Sequence, residues 1–99
     1  MATNGDSRAP ASVALITGAA SGMGLSVCKR LIERGYNVAM IDMNTEAGSK
    51  LAEGFGEQAI FVKANVSNYE EQAKAFAETW SKWHRIDFVF ANAVRQYLL

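Results

Sequence analysis

The 99-residue sequence holds one cysteine, one proline and one histidine, and its ten Lys and Arg residues cancel its ten Asp and Glu. A single thiol closes no disulfide within the chain, so a disulfide-stapled secreted scaffold is excluded. One proline beside eight glycines excludes collagenous and Pro/Gly-rich disordered classes. Zero formal charge leaves no basic field to neutralise a phosphate backbone, which argues against nucleic-acid binding. A long apolar block is lacking too. Ala9 to Cys28 carry no charge, but Ala, Ser, Thr and Gly interrupt the stretch throughout, so no spanning segment is predicted. The leader Met1 to Pro10 contains Asn4 and Asp6 and has no apolar core of the ~7–15 residues that a secretory signal needs. Together these absences predict a cytoplasmic location. What is present is 49% hydrophobic residues in a chain whose length buries roughly 60–68% of its unfolded surface. That suffices for one core and not for a cofactor domain plus a separate substrate domain.

The apolar residues alternate between strand-like runs and helical spacing. Ala11 to Thr17 (ASVALIT) reads as a strand buried on both faces, ended by Gly18. Gly22 to Arg34 reads as a helix with Gly24, Val27, Cys28 and Leu31 on one face and Gly35 as its left-handed stop. Cys28 is thereby a small core residue. A second strand is predicted over Asn37 to Ile41, then a helix from Thr45 and Glu46 to about Ala52, weakened by Gly48. Gly54 and Gly56 mark a turn before a third strand, Ala59 to Ala64. Asn68 caps the longest helix with Glu71 at the third position, and Ala73, Phe76, Ala77, Trp80 and Trp83 trace its apolar stripe. Phe88 to Ala91 is the fourth strand. Alternation of strand and helix with short links implies an α/β fold: a Rossmann-like, doubly wound parallel sheet of about four strands, order 3-2-1-4, with three helices.

Immediately after the first strand stands Thr17-Gly18-Ala19-Ala20-Ser21-Gly22-Met23-Gly24. Glycines there permit a tight turn and a close approach of backbone to a pyrophosphate, and the helix that follows offers free N–H groups and partial positive charge. Taken alone, such a loop is equally a structural turn. Asp42, at the end of the second strand and 18 positions past Gly24, adds a second element: a dinucleotide fold places its ribose-binding acid about 20 residues on. Taken alone, it is a helix-cap or solvated carboxylate. The two in register favour the ribose role.

These residues resemble the classical short-chain dehydrogenase/reductases. The resemblance covers about Ala11 to Ala93 and includes the loop at Thr17 to Gly24, Asp42, the Asn65-Val66 pair after the third strand, Arg85-Ile86-Asp87 before the fourth, and Asn92-Ala93 after it. It implies NAD(P) binding. By that resemblance the backbone at Gly18, Gly22, Met23 and Gly24 and the Ser21 hydroxyl hold the pyrophosphate, Asn65-Val66 contacts adenine, and Asn92-Ala93 lines the nicotinamide ribose. Residues 1–10 are then a flexible leader, 11–93 a partial NAD(P)-binding domain and 94–99 a tail outside the family pattern. NAD is expected over NADP, because Asp42 accepts from ribose hydroxyls but repels a 2′-phosphate by about 4 kcal/mol per charge pair at ~4 Å and an effective dielectric of ~20. No Arg or Lys stands at Ala19, Ala20, Ser21 or Met43 to compensate.

Three positions depart from the family pattern. Asn65 replaces the usual Asp, and its amide oxygen still accepts a hydrogen bond. His84 replaces the usual Gly of the turn before Arg85 and is expected as a strained or solvated helix end rather than a catalyst or ligand. Val94 replaces a Gly, and the sequence stops at Leu99. The family's catalytic Ser, Tyr and Lys, with Lys four residues after Tyr, have no counterpart: Tyr36 is followed at that spacing by Met40, Tyr69 by Ala73, and Tyr97 by nothing. No residue is therefore assigned to catalysis or to a metal, and the 99 residues alone are expected to be inactive. A premature stop, retained intron or alternative exon downstream of Ala93 is the expectation for the transcript.

A truncated sheet of this kind leaves the fourth strand as an open edge at Phe88, Val89 and Phe90. With Trp80 and Trp83 it is expected to form an exposed apolar patch, giving marginal stability and self-association. Two alternatives to an NAD-binding oxidoreductase segment stay open. One is a non-enzymatic fragment that associates through its open edge with itself or a full-length relative. The other is an S-adenosylmethionine-binding module, against which the Gly18-to-Gly22 spacing and Asn92-Ala93 argue.

Overall fold

A computed structural model describes residues 10–92. Strand β1, Val13–Thr17, consists of five residues that are all buried, as expected for an apolar run with a helical layer on each side. It lies between β2 (Asn37–Asp42) and β4 (Phe88–Ala91), and β3 (Ala59–Lys63) pairs with β2 on the far side. Every pairing is parallel, and the order is β3-β2-β1-β4. Both the expected architecture and the strand order hold.

Alternate residues sort the core into two layers. Ala14, Ile16, Val38 and Met40 face α1 (Gly22–Glu33) and α2 (Thr45–Phe55), with Cys28 and Ala52 buried among them. Leu15, Ala39, Ile41 and Val62 face the other way, against Ala75 of α3 (Tyr69–Trp83). Each fully buried Leu, Ile, Val or Met in these layers is worth about 1.5–3 kcal/mol. The fit of α2 depends on a residue that propensity alone marks as a weakness. A Cβ at Gly48 would be driven into the Phe61 ring, so the glycine lets α2 lie close on β3. The helix α2 runs past Ala52 to Phe55, with Gly54 inside it, and a short 3-10 turn, Gly56–Gln58, leads into β3. Strand β2 likewise extends one residue beyond Ile41 to include Asp42.

The face of α3 is the chief correction. Ala75 and Thr79 face the sheet, while Ala73, Phe76, Ala77 and Trp80 turn outward, Trp80 at 54% exposure. Small residues win the inner face because they let the helix approach the sheet. The Thr79 hydroxyl is satisfied within the helix by donating to the Ala75 carbonyl at 2.7 Å. Trp83 does not join an exposed patch; it is half-buried against the second layer beside Ile60 and Ile86. Phe90 is likewise partly buried, whereas Phe88 and Val89 are exposed.

The Arg85-Ile86-Asp87 turn fastens β4 to β1. Asp87 exchanges two bonds with Val13: its N–H donates to the Val13 carbonyl, and its Oδ2 accepts from the Val13 N–H, both at 2.8 Å. Arg85 forks onto the same carboxylate at 2.7 and 2.8 Å. That guanidinium bond, followed by the Val13 N–H, holds the Asp87 carboxyl below the usual carboxylate range. His84 ends α3 in the left-handed region at φ 59°, a conformation that favours glycine.

Candidate cofactor site

In an open parallel sheet, ligands bind outside the carboxyl ends of the strands, where the strand order reverses. Here the reversal lies between β1 and β4, and a cleft of about 330 Å³ opens there. Gly18, Ser21, Gly22 and Met23 line it from the segment after β1, Asp42 and Met43 from the end of β2, and Ala64, Val66 and Asn92 from the segments after β3 and β4.

The glycine loop is built by two positive φ angles and one close approach. Gly18 at φ 64° and Gly22 at φ 59° turn the chain sharply from β1 into α1. A Cβ at Gly24 would collide with the Gly18 carbonyl, so the third glycine lies behind the cleft and seats the helix on the loop. The N-terminus of α1 differs from those of the other two helices. Asn44 and Asn68 cap α2 and α3 with their side chains, and acidic residues stand in both first turns. Ser21 is extended at φ −160°, its side chain does not cap α1, and the first turn of α1 carries no acid. The positive end of α1 thus meets the cleft with no acid in its own first turn; the Ala19 and Ala20 N–H groups of the loop go to the Ile41 carbonyl and the Asp42 carboxylate, which leaves the first N–H groups of the helix, Gly22 to Gly24, as the donors at that end. This donor set fits a pyrophosphate.

Asp42 belongs to both β2 and the loop. Its Oδ2 accepts from the Ala20 N–H at 3.0 Å and its Oδ1 from the Asn44 N–H at 2.9 Å. A carboxylate has about four acceptor positions, so two bonds leave capacity for the vicinal hydroxyls of a ribose. Asn65 is placed differently from its neighbours. Its Oδ1 accepts from both the N–H and the hydroxyl of Ser67, at 3.0 and 2.7 Å, which commits the amide oxygen to its own turn. Val66 lines the cleft, whereas Asn65 stands beside it. Ala93 lies outside the described residues, as do Val94 to Leu99 and Met1 to Ala9.

Across residues 12–97 the sequence matches the short chain dehydrogenase family. The chain belongs to that family. Among its short-chain dehydrogenase relatives, a 3-beta-hydroxysteroid dehydrogenase of Comamonas testosteroni is 37% identical over 86 residues, covering 87% of this chain and 34% of the relative. A 3-hydroxyacyl-CoA dehydrogenase type-2 of Rattus norvegicus is 40% identical over 75 residues, covering 76% and 29%. Among solved structures, a 3-ketoacyl-(acyl-carrier-protein) reductase from Brucella melitensis, complexed with NADH, superposes with a TM-score of 0.78 at 31% identity, covering 81% of this chain and 33% of that one. The chain therefore spans about a third of the length of the relatives it matches.

Sequence reasoning did not single out Ile41, the penultimate residue of β2, or Ala64, which follows β3 directly, and it named Met43 only as a position without a cation; all three line the cleft. It also missed the side chains that hold the Asn65-Val66 turn. Glu71 Oε1 accepts from the Asn65 N–H at 2.7 Å, and Gln72 Nε2 donates to the Val66 carbonyl. A capping-box reading sends the Glu71 carboxylate back to Asn68, whose N–H instead donates to the Asn65 carbonyl at 2.9 Å. Cys28, buried at the centre of the first layer, has its thiol pushed up to about 12 by desolvation, so it is no nucleophile. Among the described residues no group of three or more His, Cys, Asp or Glu converges as a metal site would require, and no helix is long and apolar enough to cross a membrane.

Proposed function

We propose that this chain is the NAD-binding segment of a short-chain dehydrogenase/reductase-type oxidoreductase. The observation that carries the reading is the convergence, in one cleft, of the uncapped α1 terminus, the positive-φ glycines and the Asp42 carboxylate. In this reading the pyrophosphate lies on the backbone at Gly18 and Gly22 to Gly24 with the Ser21 hydroxyl beside it. Asp42 takes the adenosine ribose, and the Asn65-Val66 turn stands against the adenine. Asn92 and Ala93 flank the nicotinamide ribose. Bound NAD would supply a hydride acceptor for an alcohol, or NADH a donor for a ketone. Asp42 and the lack of a neighbouring cation favour NAD over NADP by like-charge repulsion of a 2′-phosphate.

The family's Tyr-x-x-x-Lys pair has no counterpart in the 99 residues, so we assign this segment binding without turnover. Thermal unfolding followed by Trp80 and Trp83 fluorescence, with millimolar NAD or NADP, tests the reading. A ligand at 100 times its Kd adds about 2.7 kcal/mol. A melt raised by NAD and not by NADP supports both the binding role and the Asp42 assignment, and a melt raised by neither removes them.

One observation favours a second reading, in which the segment associates through β4 with itself or a full-length relative. Among the described residues β4 pairs with β1 alone, and its Phe88 and Val89 are 44% and 45% exposed, with no proline or lysine in the strand to blunt the edge. Sedimentation across a hundredfold concentration range decides it: a strict monomer, alone and mixed with an intact relative, eliminates association.

A further inference from the structure

We infer that Glu71 and Gln72, on the first turn of α3, are positioning residues that set the wall of the cleft against which the nucleotide base packs. The inference rests on the dinucleotide reading above and adds a part of the fold that lies outside the cleft lining. The wall is the short run Ala64 to Val66, which follows β3, and Ala64 and Val66 are both buried. Two of its peptide groups are fixed by side chains from α3 rather than by backbone. Glu71 Oε1 accepts from the Asn65 N–H at 2.7 Å, and Gln72 Nε2 donates to the Val66 carbonyl.

At its start the run is tied to β2, the Ala64 N–H donating to the Asp42 carbonyl at 3.2 Å, and three further bonds lie within the turn. Asn68 N–H donates to the Asn65 carbonyl, and Ser67 gives both its N–H and hydroxyl to Asn65 Oδ1. The Asn68 side chain accepts from the Glu71 N–H at 3.0 Å, which locks the helix end to the same turn. Removing the Glu71 carboxylate strands the Asn65 N–H and removing the Gln72 amide strands the Val66 carbonyl, and in either case the wall is free to move by the few tenths of an ångström that a stacked ring senses.

The test uses the full chain and two probes, NAD and AMP, the second carrying the base without the nicotinamide half. Glu71→Ala is expected to weaken both about tenfold, the scale on which outer-shell partners act. Glu71→Gln, whose side-chain oxygen still accepts from Asn65, is expected to recover most of that loss. Gln58→Ala serves as the matched control, because Gln58 bonds the Ile32 and Tyr36 carbonyls at the opposite end of the sheet. It lowers stability and leaves both dissociation constants unchanged. If Glu71→Ala does not fold, Gln72→Leu, which removes the Val66 bond alone, is read against the same control with the same expected loss.

Wild-type binding of NAD with no change in Glu71→Ala, or an equal loss in Gln58→Ala, overturns the inference and leaves the cofactor reading standing. A folded wild type that binds neither NAD nor AMP overturns both.

Discussion

Asp42 Oδ2 lies 3.0 Å from the Ala20 amide nitrogen, so the carboxylate that ends β2 holds the glycine loop that follows β1. The residue expected to recognise a ribose is also part of the scaffold that shapes the phosphate loop. Asp42→Ala is expected to lower stability by about 1 kcal/mol, since the Ala20 and Asn44 N–H groups lose their acceptor. It is also expected to weaken NAD about tenfold while narrowing the gap between NAD and NADP. Denaturant melts and calorimetric titrations with both nucleotides separate the two effects.

Gly24→Ala drives a methyl group into the Gly18 carbonyl. Because the obstacle is backbone, relief requires the loop to move. A loss of about 1–3 kcal/mol in urea unfolding is expected, together with loss of nucleotide binding.

At His84 the expected direction is reversed. An exposed non-glycine residue at φ 59° carries left-handed strain, and its N–H is already bonded to the Trp80 carbonyl at 2.6 Å. His84→Gly removes the strain, partly offset by the greater entropy that glycine gives the unfolded chain, for a net gain of about 0.5–1 kcal/mol in thermal or urea melts.

Acid should loosen the β1–β4 fastening. The folded carboxyl of Asp87 is held low, first by Arg85 and then by the Val13 N–H, so its contribution is present above the ordinary carboxylate value of 3.8. As pH falls through the folded value, the unfolded state has already taken up the proton and the contribution disappears. Urea midpoints followed downward from about pH 6 are expected to fall less steeply for Asp87→Asn than for wild type.

Alkali acts through Cys28. Its unfolded thiol ionises near 9.0, while burial pushes the folded one up to about 12, so stability falls as pH rises between those values. At about pH 8 a thiol reagent is expected to leave the folded chain unmodified and to titrate Cys28 once denaturant is added.

Periodicity exposed the strands, their order and the glycine loop because each rests on local chemistry: an apolar run, a glycine, an acid at a strand end. It failed where packing overruled pattern. Phe76 and Trp80 form the more conspicuous stripe on α3, but the sheet takes Ala75 and Thr79, whose small side chains permit close approach. Gly48 looks like a helix defect until the Phe61 ring is found against it. Asp42 was expected as the ribose-binding acid and lies in the cleft lining, but its bond to Ala20 spans two loops and leaves no spacing to read. Glu71 stood at the third helix position as expected, yet its partner is set by how the preceding turn folds and not by the helix start.

The partners of β1 are separated widely in chain order. Its pairing with β2 needs the next 25 or so residues, whereas its pairing with β4 joins Ala14 to Phe88. At synthesis rates of about 5–20 residues per second, the strand at the centre of the sheet waits roughly 4–15 s for its second neighbour. The most buried of the described strands is therefore also the first of them to emerge during translation, and for that interval its apolar flank is within reach of any passing chain or chaperone.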